Sequence, residues 1–338
     1  MTAPAGRAPL DDVDVLLADL DGVVYAGHRA IPYAVEALTA AAASGRRLGY
    51  LTNNASRTPE TVAAQLRELG LDAAPDDIVS SPQAAVVLLA ELVPPGATVL
   101  VVGGDGLVSE VERAGFRVTR SAEDAPAAVV QGFAPSVAWT DLAEAAFALA
   151  GGEAGIPWVA TNTDWTIPQA RGTAPGNGTL VSAVHTAVGR LPVVAGKPER
   201  ALFDVAVARF DARRPLFIGD RLDTDIFGAR RAGMASALVL TGIDGPKQLL
   251  AAAADSRPDF VLEDLRGLTL PYPVTEDVRD IAGVRWIRVG SAVVRHEKER
   301  LTLDTPGTRI DRIRAAAAAV WGAGVPIYAL DVAPELYS

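Results

Sequence analysis

The apolar run VDVLLA, Val13 to Ala18, stops abruptly at Asp19, and no other feature constrains the fold as much. A short continuous apolar run that ends at a polar loop reads as a strand buried on both faces, as in a parallel sheet. A helix-rich stretch from Pro32 to Ser44 follows, closed by Gly45 where a left-handed cap is wanted. Leu48 to Leu51 then reads as a second strand ending at Thr52, and Thr58 with Pro59 offers the N-cap and first-turn proline of a helix running to Gly70. Strand, helix, strand, helix implies a parallel sheet covered on both faces.

The alternation returns late in the chain. Val193 to Ala195 reads as a strand, Pro198 to Phe210 as a helix, LFIG before Asp220 as a strand, Thr224 to Ala232 as a helix and SALVL as a strand. The fold expected is therefore α/β, a doubly wound parallel-sheet core built from two pieces, residues 1–82 and 191–270. Residues 83–190 carry strands of their own (ATVLVVGG, AAVVQGF, IPWVATN) and are expected to form an inserted α/β domain. Residues 271–338 change character to strand, strand, an alanine-rich helix from Ile310 to Trp321 and a final strand PIYALDV, a small α+β appendage with no catalytic constellation. It is read as a packing or dimerisation module, the latter giving a homodimer.

Composition narrows the chemistry. The 31 basic and 41 acidic residues leave a net charge of -10, and the only lysines are Lys197, Lys247 and Lys298. Nucleic-acid binders hold phosphates with clustered basic residues, so no nucleic-acid partner is expected. Zero cysteines exclude disulfides, thiolate nucleophiles and cysteine metal sites, and His28, His185 and His296 are dispersed. A metal here must be held by oxygen, which points to magnesium. The N-terminal MTAPAGRAPLDDVD lacks a basic start and an apolar core, and no run approaches about 18 apolar residues. The expectation is a soluble cytoplasmic protein with no membrane partner.

In open α/β sheets ligands lie beyond the carboxyl ends of the strands. There the sequence offers Asp19 and Asp21, then Thr52, Asn53 and Asn54, then Lys197, then Asp220. Asp19 and Asp220 would repel each other and an incoming phosphate unless a hard cation lay between them. Three negative charges on Asp19, Asp220 and Asp225 balance Mg2+ with Lys197. Asp19 is placed to attack phosphorus and form an aspartyl-phosphate. Asp21 is placed to protonate the leaving alkoxide and later to take a proton from water, work worth about 10² to 10⁴ fold. The Thr52 hydroxyl and the Asn53 backbone N–H would hold phosphate oxygens, and Lys197 would offset charge in the transition state. Each segment alone is an ordinary loop; four in this order at strand ends form a phosphoryl-transfer set.

DLDGVVY (Asp19 to Tyr25), LTNNASRT (Leu51 to Thr58), GKP (Gly196 to Pro198) and GDRLDTDI (Gly219 to Ile226) resemble the four motifs of the haloacid dehalogenase superfamily of phosphohydrolases. The insertion between the second and third motifs resembles the large α/β cap of the branch that includes 4-nitrophenylphosphate, 2-phosphoglycolate, glycerol 3-phosphate and pyridoxal phosphate phosphatases. The resemblance covers about residues 13–265. It implies Asp19 as nucleophile and magnesium ligand, Asp21 as general acid/base whose backbone carbonyl also ligates the metal, and Asp220 as a further ligand. It also implies phosphate binding by Thr52, Asn53 and Asn54, orientation of nucleophile and phosphate by Lys197, and support of the metal by Asp225 from behind its direct ligands.

The polar, turn-rich stretch Thr161 to Thr179 is the candidate specificity loop, with Asp164 for a substrate hydroxyl, Trp165 as a pocket wall and Arg171 for a substrate carboxylate. Glycerol 3-phosphate is the first expectation, on the resemblance, and 2-phosphoglycolate the second. A phosphotransferase or mutase, or a binding protein without chemistry, are the readings from other classes. The VVGGDGLVSE cluster is not a dinucleotide fingerprint, because Gly104 and Gly106 lack the third glycine at Ser109; it reads as a tight strand-to-helix turn.

Overall fold

The computed structural model describes residues 6–152, 155–169 and 171–338. The first five residues and Ala170 of the specificity loop therefore lie outside the described residues. The chain divides into two compact units, Met1–Ala26 with Ala30–Leu48 and Arg213–Ser338, and Gly27–Arg29 with Gly49–Ala212.

The first unit is built on parallel strands in the order Val15–Asp19, Leu216–Gly219, Ala235–Val239, Phe260–Leu262. Every residue of Val15–Asp19 and of Leu216–Gly219 is buried, as apolar runs of this kind require when both faces are covered. Register pairs Ala18 with Ile218 and Gly219 with Leu238, so Asp19 at the end of one strand and Asp220 just beyond the next emerge side by side. The helix Ala34–Ala43 ends as expected, with Gly45 at φ +87°. In place of a helix starting at Thr224, a wider turn over Leu222–Ile226 leads into a short helix Phe227–Arg231.

The C-terminal segment belongs to this unit and has more strands than expected. Thr275–Arg279, Arg285–Val289, Ala292–Glu297 and Arg300–Thr305 form an antiparallel meander, and Asp331–Val332 adds a short parallel pairing on Arg300–Leu301. TEDVR is exposed along its length, so it carries no apolar alternation from which a strand is legible. PIYALDV is mostly not a strand: Ile327–Ala329 is a 3-10 turn. The helix Arg309–Trp321 buries Ile313, Ala315–Ala317, Ala319 and Val320 in one apolar cluster with Leu222, Leu238, Leu249 and Val261 of the parallel-sheet layer and Ile287, Val294 and Leu301 of the meander. Arg314 Nε donates to Val261 O at 2.8 Å and Trp321 Nε1 to Leu249 O at 3.2 Å. The tail thus shares its core with the parallel sheet.

In the second unit Thr58 caps the helix Pro59–Glu68 through an N–H bond from Thr61 at 3.3 Å. The strand Arg47–Thr52 crosses from the first unit, where Arg47 N–H donates to Asp14 O at 3.2 Å, into the second, where Thr52 lies opposite Ser80 of the parallel strand Ile78–Ser80. A five-stranded parallel sheet has the order Val193–Val194, Trp158–Ala160, Ala128–Gln131, Thr98–Val102, Arg117–Thr119. The helices Trp139–Ala148 and Asn177–Val188 share a buried cluster with it. Val193–Val194 was expected in the late half of the doubly wound core; it instead forms the edge of this sheet, a position that suits a two-residue strand led in by Pro192, which has no N–H to donate. After Thr98–Val102 the chain turns at Gly103 into the helix Asp105–Arg113, the strand-to-helix turn expected of VVGGDG. The specificity loop contains a hairpin, Thr166–Gln169 against Gly172–Pro175, where the sequence suggested irregular chain. Among the described residues no helix is long and apolar enough to cross a membrane.

Candidate active site

Asp19 is the last residue of its strand and is buried. The chain then turns tightly: Leu20 O accepts from Val24 N at 2.9 Å and Tyr25 N at 3.1 Å, while Gly22, at φ +82°, donates to Tyr25 O at 2.8 Å. A non-glycine residue would be strained at this φ. Asp21 is exposed on the turn.

Asp220 follows Leu216–Gly219, and its Oδ2 accepts the Ile243 N–H at 2.7 Å. Asp225 reaches back under the same loop, its Oδ2 accepting Asp220 N–H at 3.1 Å and Arg221 N–H at 3.2 Å. These two donated amides fix the chain on which Asp220 is carried. Asp19, Asp220 and Asp225, all buried, each bring a carboxylate oxygen within 4.8 Å of the others. At that separation and an effective dielectric near 20, each like-charged pair repels by about 3 kcal/mol. A dication held among them turns that repulsion into attraction to the ion, and an all-oxygen donor set suits magnesium, so these residues could hold the metal. Asp21 is not one of the clustered carboxylates. Of the three, Asp225 also acts on Asp244, whose Oδ2 accepts Leu222 N–H at 2.6 Å. Burial first, with the Asp223 and Asp225 charges acting in the same direction, pushes its carboxyl above the usual range.

The amide and lysine motifs lie in the second unit. Thr52 is buried at its strand end, and its Oγ1 accepts Asn54 N–H at 3.1 Å. Asn54 Oδ1 in turn accepts from Ser56 N at 2.9 Å and Ser56 Oγ at 2.8 Å. Asn53 Oδ1 accepts Lys197 N–H at 2.8 Å, and its Nδ2 donates to Lys197 O at 3.1 Å and to the Asp164 carboxylate at 3.2 and 3.3 Å. The Asn53 side chain therefore organises protein groups, leaving its backbone N–H as the group the sequence assigned to phosphate. Lys197 is buried, 4% exposed, which is rare for a lysine and costly without compensating charge or hydrogen bonds. Of the specificity residues, Asp164 joins this set, Trp165 is exposed and Arg171 is exposed in the turn of the hairpin.

Sequence reasoning missed Asp244, the glycine contacts around Asp220, and the amides Asn162 and Asn177. Asn162 had a signal: it follows Thr161 at a strand end, as Asn53 follows Thr52.

This arrangement defines a class. A family model described as haloacid dehalogenase-like hydrolase matches residues 16–117, and one described as HAD-hydrolase-like matches residues 194–268; the chain belongs to the haloacid dehalogenase-like hydrolase family. Among particular relatives, the D-glycerol 3-phosphate phosphatase of Mycobacterium tuberculosis is 43% identical over 318 residues, covering 92% of this chain and 86% of that protein. A crystal structure of a glycerol phosphate phosphatase from the same organism, in complex with magnesium, is similar with a TM-score of 0.85 and 40% identity, covering 97% of this chain and 96% of that one. A 4-nitrophenylphosphatase from Thermotoga maritima is similar with a TM-score of 0.71 and 29% identity, covering 78% of this chain and 98% of its own.

Proposed function

We propose that the protein is a magnesium-dependent phosphatase that hydrolyses a small phosphomonoester, glycerol 3-phosphate first, through an aspartyl-phosphate on Asp19. The observation that carries this reading is the buried cluster of Asp19, Asp220 and Asp225 at the ends of two paired parallel strands. The names and high coverage of the mycobacterial relatives support the substrate and the metal.

In this reading an Asp19 oxygen attacks phosphorus as the ester P–O bond breaks, and Asp21 gives its proton to the leaving alkoxide. Water then attacks the aspartyl-phosphate, Asp21 takes its proton, and inorganic phosphate leaves with Asp19 restored. Magnesium, when bound, supplies positive charge against the carboxylates and the phosphoryl oxygens. Asp220 is a further metal ligand, and Asp225 holds the Asp220–Arg221 backbone in place. Thr52, Asn53 and Asn54 hold phosphoryl oxygens, and the Lys197 ammonium offsets the charge that spreads over them.

Residues 83–190 act as a cap that excludes water and meets the leaving group through Thr161 to Thr179. The enzyme works in the cytoplasm on free small molecules, with no nucleic-acid or membrane partner, as suits its net charge of -10. Self-association into a homodimer is part of the reading and is tested by light scattering.

The test is a panel of phosphomonoesters, with glycerol 3-phosphate and 2-phosphoglycolate at its centre, assayed with and without magnesium by release of inorganic phosphate. Magnesium-dependent release matching substrate loss, greatest for glycerol 3-phosphate, is expected. Exposed Arg171 favours 2-phosphoglycolate as the second reading, and a loss confined to that ester in Arg171→Ala would move the assignment to it. Substrate loss without phosphate release would identify a phosphotransferase or mutase.

A further inference from the structure

Lys197 and Asp164 are joined through the Asn53 side chain, and behind it lie two buried amides, Asn162 and Asn177, to which the proposed reaction gives no task. Asn53 closes a ring on the Lys197 backbone, accepting its N–H at 2.8 Å and donating to its carbonyl at 3.1 Å, and reaches the Asp164 carboxylate with the same Nδ2. Those bonds commit both hydrogens of the Asn53 amide. Asn162 then holds both sides of this arrangement. Its Nδ2 donates to Asn53 O at 2.7 Å, and its Oδ1 accepts Asp164 N–H at 3.1 Å. Its own carbonyl accepts Asn177 Nδ2 at 2.7 Å from the first residue of the helix Asn177–Val188. Asn162 is 4% exposed and Asn177 1%.

Backbone packing leaves this set no slack. A Cβ on Gly196 would fall 2.4 Å from Thr161 O and 2.5 Å from Asn53 Oδ1, so the chain entering Lys197 lies directly on the strand end that carries Asn162. The Asn53 and Asn162 amides are bonded at both their oxygen and nitrogen ends, and in such a buried network the loss of one member is felt by the rest.

We infer that Asn162 is a positioning residue that fixes the Lys197 turn and the Asp164 loop in one relation. The inference rests on the proposed function, in which Lys197 serves the phosphoryl group and Asp164 the leaving group. Asn162 acts on turnover through Asn53 and needs no contact with substrate.

Two variants test it. Asn162→Ala removes both bonds; Asn162→Asp keeps the shape and the acceptor for Asp164 N–H but loses the donor to Asn53 O. Thermal unfolding establishes folding, and the isosteric Asp variant carries the test if the Ala variant does not fold. The readouts are kcat and KM for 4-nitrophenyl phosphate and glycerol 3-phosphate, and calorimetric affinity for inorganic phosphate with magnesium, each repeated in a Lys197→Ala background. Expected is a fall in kcat of about 10- to 100-fold for both esters with KM little changed, a signature of lost transition-state stabilisation. Phosphate affinity should stay near wild type in Asn162→Asp, and kcat should fall no further when Asn162→Asp is added to Lys197→Ala, since residues acting through one group are not additive. Additive losses, a loss in KM alone, or wild-type kcat in a folded Asn162→Asp would overturn the inference. If Lys197→Ala by itself leaves turnover and phosphate affinity unchanged, the proposed function fails instead.

Discussion

Replacing Gly242 by alanine asks whether Asp220 owes its place to the bare backbone beside it. A Cβ on residue 242 would stand 1.9 Å from Asp220 Oδ2 and 2.5 Å from its Cβ. Ordinary contact begins at 3.4 Å, so the oxygen must retreat by 3.4 − 1.9 = 1.5 Å. Gly22 confines the same oxygen, which lies 2.3 Å from where a Cβ on that residue would be. The retreat also breaks the 2.7 Å bond from Ile243 N–H. Overpacking of this kind costs about 1–3 kcal/mol of stability, and a displacement of about 1 Å at a reacting site costs about 10² fold in rate. Gly242→Ala is therefore expected to fold with a lowered melting temperature, to lose about 100-fold in kcat/KM and to require more magnesium for half-maximal turnover. The assay is a magnesium titration of phosphate release beside thermal unfolding. A folded variant with wild-type turnover and wild-type magnesium dependence would refute the reasoning.

Two further outcomes follow from the tail. Truncation after residue 271 would expose Leu238, Leu249, Leu250 and Val261 of the shared cluster; at about 1.5–3 kcal/mol each their loss rivals the about 5–15 kcal/mol stability of a typical fold. The truncated chain is expected to unfold or precipitate, and a soluble, active, cooperatively melting product would contradict the shared core. His296 Nδ1 lies 3.2 Å from the Arg285 guanidinium and its Nε2 2.8 Å from Lys298 O. Burial first, then the Arg285 and Arg279 charges, hold its imidazole below its ordinary value of 6.5, against the opposing pull of Lys298 O and Asp277. The unfolded chain therefore binds the proton more readily, and stability is lost as pH falls through and below about 6.5. Urea unfolding at pH 7.5 and pH 5.5 should show this difference, reduced in His296→Gln; an undiminished difference in the variant would assign it to other groups.

The parts of this molecule legible in the sequence are those written by local chemistry. Asp19 at a strand end, the Thr58 cap and the Gly45 terminus follow from an apolar run, a hydroxyl before proline and a glycine after a helix, and each falls where expected. Asp19 and Asp220 could be named because they stand at the ends of strands that pair in parallel, and Asp225 through the resemblance carried by GDRLDTDI. Pairings between distant segments were not legible. Val193–Val194 joins the sheet of Trp158–Ala160 through register alone, and nothing in two valines chooses one sheet over another. The Asn53 side chain finds partners 111 and 144 residues away, so its role as a clamp could not be read from its motif. Thr275–Arg279 is an edge strand without an apolar face, and the tail's helix could not announce which layer its alanines would cover.

The central claim is that Asp19 is esterified by the phosphoryl group during turnover. Acid quench of the full-length enzyme within milliseconds of mixing with magnesium and a phosphomonoester labelled with radioactive phosphorus, followed by peptide mapping, tests it most directly. Label bound to the peptide carrying Asp19, chased by unlabelled substrate and missing in Asp19→Asn, is the expected result. Phosphate release at the full rate with no labelled protein, or with the label on another residue, would contradict the account.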